Sequence, residues 1–308
     1  MWRYVLAAVV TAVILICIKL VSIGGLIGHM DLGRLSGMDL SQMGELTAAD
    51  SGFRWEGAVP SGTWTTVRDV AGTITVRLSE DSLVHVSAIK RWNPEQTSGA
   101  DTRILTMPSD SGVVVCVAIA STSQCTNNSD ERHHISLRRF RGKQTPALVD
   151  FTVRIPAGVK VDAGTVLGNV AMEGTRAAVR ARTVNGRVEL TSFGGPVDAA
   201  TVNGSITARL DSAAAANPVK LETINGAVTA YLPESFSGDV QLFSVNGALG
   251  TDYTLNGASN SQNRRELRGT VGSGGPTVSL RAVNGGVHLR KMVPGSELDS
   301  ASSAAGGN

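Results

Sequence analysis

Residues 181–210 read ARTVNGRVELTSFGGPVDAATVNGSITARL. Thr-Val-Asn-Gly begins at Thr183 and again at Thr201, with a Phe-Gly-Gly midway at Phe193. Working outward from this pair gives seven copies aligned on a glycine: Gly72, Gly168, Gly186, Gly204, Gly226, Gly247 and Gly285. After Gly168 the spacings are 18, 18, 22, 21 and 38 residues. Each copy carries an aliphatic residue two before the glycine and another two after it, from Val70 and Ile74 to Val283 and Val287. Side chains four apart on an extended chain share one face, so both belong to a core.

Two polar columns run through the same alignment. Three before the glycine stand Asp69, Thr165, Thr183, Thr201, Thr223, Ser244 and Ala282. One before it stand Asn185, Asn203, Asn225, Asn246 and Asn284, with Ala71 and Leu167 as early exceptions. A two-residue hairpin at each Asn-Gly is one reading of the motif. Scattered hairpins have no reason to keep position-specific columns. Rungs stacked about 4.8 Å apart do, because equivalent amides and hydroxyls can then bond their copies above and below. The sequence therefore predicts an all-β fold, a parallel β-helix-like β-solenoid of 18–22-residue coils. Asn-Gly supplies a positive φ at one corner, and Phe193–Val197 marks the second. A single coil buries too little apolar surface to offset the ordering of its backbone, so consecutive windings must share a core. Asn256-Gly257 has Ser259 where an aliphatic is required, and reads as a loop insertion before the final coil.

The flanks are different in character. Residues 5–27 are apolar or small apart from Thr11, Lys19 and Ser22. As a helix they reach roughly 35 Å, enough to cross a membrane. An uncleaved anchor and a cleaved signal peptide both fit, and both export the rest of the chain. Residues 1–27 are thus anchor or signal, 28–52 a stalk, 53–295 the β-solenoid domain, and 296–308 a small, polar, disordered tail. Residues 92–147 read as an irregular insertion with a basic run, RHHISLRRFRGK, at 132–143. Cys116 and Cys125 lie nine residues apart in it and form either a disulfide or two free thiols.

Three further stretches accompany the repeat: FRWEGAVPSGTWTTVRDVAGTITV (53–76), DFTVRIPAGVKVDAGTVLGNVAMEG (150–174) and GTVGSGGPTVSLRAVNGGVHLRK (269–291). With the Thr-Val-Asn-Gly copies, they resemble the bacterial putative-adhesin, β-strand-repeat family of unknown function, found in envelope proteins with an N-terminal membrane segment. The resemblance implies a solenoid-like stack and an extracytoplasmic setting in the bacterial cell envelope. Residues 92–147 depart from it, being longer and more basic than the pattern.

Function is read mostly by exclusion. With 28 Lys and Arg against 26 Asp and Glu, the charge is too balanced for nucleic acid as a main partner. No catalytic, cofactor or metal motif appears, neither HExxH, GxSxG, a Walker loop nor a CxxC pair. The outward column three after the glycine reads Thr75, Ala171, Glu189, Thr207, Thr229, Gly250 and His288. Its one Glu and one His stand copies apart and form no acid–base pair. The expectation is a non-enzymatic, membrane-tethered adhesin or envelope scaffold that uses no cofactor. It meets the membrane through residues 5–27 and an envelope protein or polysaccharide through its surface. An accessory of membrane stress signalling is the alternative, and a polysaccharide-active β-helix enzyme a third reading.

Overall fold

The computed structural model describes residues 46–95, 101–119, 147–191, 194–260 and 265–292. The anchor expected at 5–27, most of the stalk, the basic run, Cys125 and the tail lie outside these residues. Among the described residues no helix is long and apolar enough to cross a membrane. In chain order the strands are β1 (Ala48–Gly57), β2 (Trp64–Arg68), β3 (Ile74–Leu78), β4 (Val84–Trp92), β5 (Thr102–Ser109), β6 (Gly112–Ile119), β7 (Leu148–Ile155), β8 (Lys160–Gly164) and β9 (Val170–Glu173). Then follow β10 (Val179–Arg182), β11 (Val188–Thr191), β12 (Val197–Asn203), β13 (Ile206–Arg209), the short helix α1 (Ser212–Ala215), β14 (Val219–Asn225) and β15 (Val228–Leu232). The chain closes with β16 (Gly238–Asn246), β17 (Leu249–Thr251), β18 (Asn256–Asn260), β19 (Glu266–Val271), β20 (Thr277–Asn284) and β21 (Val287–Lys291). The fold is all-β.

The repeat builds two facing sheets, one of ten strands and one of eleven. Each repeat coil gives its first strand to the eleven-stranded sheet and its second to the ten-stranded one, with the glycine corner between. From β8 to β15 successive coils pair in parallel, Val161 beside Val179, Val197 and Val219, and Val170 beside Val188, Ile206 and Val228. These eight side chains are at most 2% exposed, so period-two alternation fills one continuous dry core. The second inward column changes size along the stack. Ala163 and Ala181 share their coils with Met172 and Leu190, whereas Leu221 shares its coil with Ala230, all of them buried. The spacing of 22 residues comes from α1, which replaces a tight second corner and buries Ala214.

The order of coils departs from the sequence expectation at both ends. The last coil, β20 and β21, lies between β14/β15 and β16/β17, pairing in parallel with both. At the other end β2 and β3 lie between β6/β7 and β8/β9. Windings adjacent in sequence are therefore split twice by a distant segment. The 38-residue spacing is the excursion that makes one of these splits. The chain leaves β17, forms the antiparallel hairpin of β18 and β19 against β16, and returns one place earlier.

Antiparallel strands close both ends, and three expectations change with them. Residues 102–119, expected within an irregular insertion, are β5 and β6, antiparallel to each other, with β6 parallel to β2. Asn256-Gly257, expected in a loop, opens β18. The stalk expected to run to residue 52 gives way to β1 at Ala48, which pairs antiparallel with β4, and β4 with β7. The repeat alignment missed them because antiparallel strands need no corner motif. At the far end Tyr253 meets Phe236 edge to face at 5.7 Å, its hydroxyl 2.8 Å from the Leu232 and Pro233 carbonyls, which seats the cap on the core.

The corner glycines are needed for proximity more than for handedness. A Cβ on Gly204 would sit 1.9 Å from the Gly186 carbonyl oxygen, and one on Gly186 would sit 1.8 Å from that of Gly168. Gly72, Gly168, Gly226 and Gly285 have φ between +139° and +158°, but Gly186, Gly204 and Gly247 lie outside the left-handed region. The expectation that a positive φ explains the motif is thus corrected: four copies have one, and all seven need a missing side chain. Gly204→Ala is expected to destabilise the protein by roughly 2–4 kcal/mol, because the rungs must part or the backbone must strain. Gly164→Ala, whose Cβ would meet nothing nearer than 3.6 Å, is expected to change stability by less than about 0.5 kcal/mol. Denaturant unfolding of the two variants makes the comparison.

Candidate functional site

The residues singled out in the repeat come together at the corners. Asn203 Nδ2 donates to Asn185 Oδ1 at 2.7 Å, Asn225 to Asn203, Asn284 to Asn225, and Asn246 to Asn284, the last three at 2.8 Å. All four bonds point the same way, so the amides polarise one another along a single ladder. Its order, 185, 203, 225, 284, 246, is spatial and reflects the inserted last coil. Ala71 and Leu167 continue the column as backbone bridges.

The hydroxyl column behaves differently from its expectation. Apart from Thr165, whose hydroxyl reaches Asp69 at 3.5 Å, the hydroxyls do not bond their copies. Thr183, Thr201, Thr223 and Ser244 donate instead to the corner glycine carbonyls of the neighbouring coil, Gly168, Gly186, Gly204 and Gly285, at 2.8–3.0 Å. At these four corners the glycine lets the next coil close in, and the hydroxyl of that coil satisfies its carbonyl; the coil on Gly226 carries Ala282 there and makes no such bond.

Asp69 occupies the first place in this buried column. Its Oδ1 accepts from the Val70 amide at 2.7 Å, and the Thr165 hydroxyl lies 3.5 Å from Oδ2. Burial pushes its carboxyl up to about 8, against the lowering pull of the Val70 and Ala71 amides, and nearby Asp150 adds to the rise. The side chain is thus protonated at neutral pH and packs in the column where other coils carry hydroxyls.

Surface chemistry is concentrated on two outer faces. On the eleven-stranded sheet, Asp162 is surrounded by Arg68 at 2.9 Å, Arg182 at 3.6 Å and Arg180 at 4.0 Å. Burial pushes its carboxyl upward, but Arg68, Arg182 and Arg180 outweigh that and hold it below the usual range. Arg182 also reaches Asp198 at 3.1 Å, and the Arg180 guanidinium stacks 4.2 Å from the Trp64 ring centre. The cations of this face are largely matched from within.

On the ten-stranded sheet the end strands β1, β4 and β7 form an open groove of about 640 Å3, lined by Arg54, Glu56, His85, Ser87, Thr152 and Arg154, with Trp55 and Val86. Pairing register places Arg54, Ser87 and Thr152 in one outward row and Glu56, His85 and Arg154 in the next. His85 is clamped by two carboxylates, Asp81 at 2.9 Å from Nε2 and Glu56 at 3.6 Å from Nδ1. The His85 hydrogen bond, with those of the Leu83 amide and the Ser79 hydroxyl, holds the Asp81 carboxyl down to about 2. Arg54 and Arg154 are exposed and have no carboxylate partner among the described residues. The alternation in FRWEG and FTVRI indicates that Arg54 and Arg154 face outward. Nothing in the sequence sets two strands a hundred residues apart across one groove.

Elsewhere the expected residues stay dispersed. Glu189 and His288 lie on the same outward row with Thr207 and Thr229 between them, roughly 14 Å at rung spacing. Glu189 faces Arg187 at 3.6 Å. Cys116, on β6, is buried and disulfide-bonded, and the expected partner Cys125 lies outside the described residues.

Comparison with known proteins agrees with the repeat. Residues 150–290 match the family Toastrack DUF4097, so the resemblance to a β-repeat family of unknown function holds over that region. Among solved structures, a putative cell adhesion protein from Clostridium sporogenes ATCC 15579 is 13% identical, with 78% of this chain and 99% of that chain covered and a TM-score of 0.43. A putative adhesin from Bacteroides fragilis NCTC 9343 is 10% identical over 80% of this chain and 98% of that one, with a TM-score of 0.28. A putative adhesin from Parabacteroides distasonis ATCC 8503 is 9% identical over 78% and 96%, with a TM-score of 0.23. No curated protein matches.

Two outcomes are expected from the corner chemistry. Asn203→Ala removes two ladder bonds and should cost roughly 1–3 kcal/mol, and Asn246→Ala, at the ladder's end, about half as much. Asp69 binds its proton more tightly folded than unfolded, so its contribution is full below about pH 4 and is lost as pH rises to about 8. Thermal melts from pH 4 to 9 should show wild type weakening across that window and Asp69→Asn losing that part of the slope. Parallel profiles would remove Asp69 as the cause.

Proposed function

We infer, from the Toastrack DUF4097 match over residues 150–290 together with the architecture, that the chain is a non-enzymatic, membrane-tethered β-repeat protein of the bacterial cell envelope. In this reading it is an adhesin or envelope scaffold, held by residues 5–27, whose stack presents a rigid extracytoplasmic surface to another macromolecule. The observation that carries the reading is the unbroken ladder Asn185, Asn203, Asn225, Asn284, Asn246. The repeating polar groups are saturated by one another, so they stiffen the stack and leave contact to the outward side chains. The arrangement around Glu189, His288 and His85 agrees. The first two are separated by two rungs, and both ring nitrogens of the third face carboxylates, so these three described residues do not form an acid–base pair beside a nucleophile.

Crosslinking of the intact, membrane-embedded chain, followed by mass spectrometry and glycan profiling of what is retained, tests the proposal. Recovery of a defined envelope protein or polysaccharide is expected. Crosslinks confined to residues 28–52 and one membrane-protein partner would favour the signalling role instead. Turnover of an envelope polysaccharide by the purified protein would overturn the non-enzymatic reading.

A further inference from the structure

We propose that the groove across β1, β4 and β7 binds an anionic saccharide, with Arg54 and Arg154 gripping its carboxylate or sulfate group. The inference rests on the reading of the protein as a contact surface and names the chemistry of one contact.

Unmatched charge distinguishes this groove from the other basic face. Around Asp162 the guanidiniums of Arg68, Arg180 and Arg182 converge on a carboxylate the protein supplies, and Arg180 also covers Trp64. An incoming anion would have to compete with an ion already in place. Arg54 and Arg154 have no such carboxylate partner among the described residues, so there an acid group meets two exposed cations without having to replace a bound carboxylate. Planar guanidinium forks suit carboxylate and sulfate oxygens, which they can engage with two parallel hydrogen bonds each.

The rest of the groove suits a sugar. Arg54 and Arg154 stand diagonally across β4, two strand spacings apart, or about 10 Å, and two residues along, or about 7 Å. Between them lie the hydroxyls of Ser87 and Thr152, and beside them the exposed carboxylate of Glu56. These supply donors and acceptors for ring hydroxyls. Trp55 and Val86 alternate to the inward face and pack on the core, so they form the floor that holds the outward polar residues in place. The volume falls in the range of small-ligand sites, roughly 300–1,000 Å3.

The platform is also fixed. His85 ties Glu56 of β1 to Asp81 in the turn before β4, and Lys90 of β4 pairs with Asp50 of β1 at 2.8 Å. Arg54 is therefore carried on an edge strand held at two points, so little ordering remains to be done when a ligand arrives.

Binding of the full-length chain in detergent to oligogalacturonate, dextran sulfate and neutral dextran tests the site by calorimetry. One or both acidic probes should bind, the stronger identifying the acid group, and neutral dextran should not. Arg54→Gln and Arg154→Gln should each weaken binding about tenfold and together abolish it. Both positions are exposed, so melting curves should stay near wild type and exclude unfolding as the cause. Arg180→Gln removes the same charge from the opposite sheet and should change affinity less than twofold. Failure of both acidic probes, retention of binding in the double variant, or equal loss in Arg180→Gln would overturn the assignment. If the double variant still recovers the wild-type envelope partner by crosslinking, the groove is wrong and the contact reading stands.

Discussion

The stack depends on how closely one corner of the backbone can lie on the next. At Gly186 a Cβ would fall 1.8 Å from the carbonyl oxygen of Gly168, and at Gly204, Gly226, Gly247 and Gly285 the corresponding gap is 1.9–2.0 Å. No side chain fits there. The same approach puts the carbonyls of Gly168, Gly186, Gly204 and Gly285 within reach of a neighbouring coil's hydroxyl, and sets the asparagine amides one rung apart so that they bond in series. Glycine, hydroxyl and amide are therefore parts of one corner device, and none of them would be fixed without the closeness the glycine allows.

A stack of like coils would fray from its ends, because each coil is held only by its neighbours. This chain counters that by placing a sequence-distant coil one layer inside each end. β2 and β3 are clasped between β6/β7 and β8/β9, and β20 and β21 between β14/β15 and β16/β17. Neither coil can leave without breaking pairing on two sides in both sheets. Beyond them β16, β6 and β7 are closed by the antiparallel strands β19, β5 and β4, while β17 forms the edge of the ten-stranded sheet. Local winding gives way to long-range contact at the ends, which makes these regions slower to form and harder to peel away.

How much of this could be read from the sequence follows from what a repeat encodes. Position within a coil is written in residue type, so the corner glycines, the asparagine ladder and the core aliphatics two after the glycine, such as Val188, were legible. The aliphatics two before it were misplaced in three coils, where Val202, Ile224 and Val245 lie in a separate, partly exposed cluster because the buried Thr or Ser beside them faces inward. Rank within the stack is not written anywhere: TINGAVTA and AVNGGVHL would pair equally well with either neighbour, and only the folded chain shows that Asn284 follows Asn225. The acceptor of the threonine hydroxyls was misread because identical residues suggest bonding to each other, while the nearer group is a backbone carbonyl. Strands β5, β6 and β18 carried no corner motif, and so looked like insertions. Of the candidate site, outward alternation around Arg54 and Arg154 was legible and their juxtaposition was not, since an antiparallel partner in between sets it.

The place where the repeat ends is also where its chemistry changes, and the reason is geometric. Parallel coils in register set equivalent positions side by side, so a row such as Thr207 and Thr229 repeats one small polar group, and charges in such rows are answered on the same or a neighbouring rung, as Arg187 answers Glu189. That arrangement gives a stiff, even surface with little means of gripping one ligand over another. Antiparallel pairing in β1, β4 and β7 breaks the equivalence by bringing unlike positions together, Arg54 against Ser87 against Thr152, and Glu56 against His85 against Arg154. Diversity of neighbours is what recognition requires, and in this molecule the end strands of the ten-stranded sheet supply it on a platform that the saturated corners keep rigid.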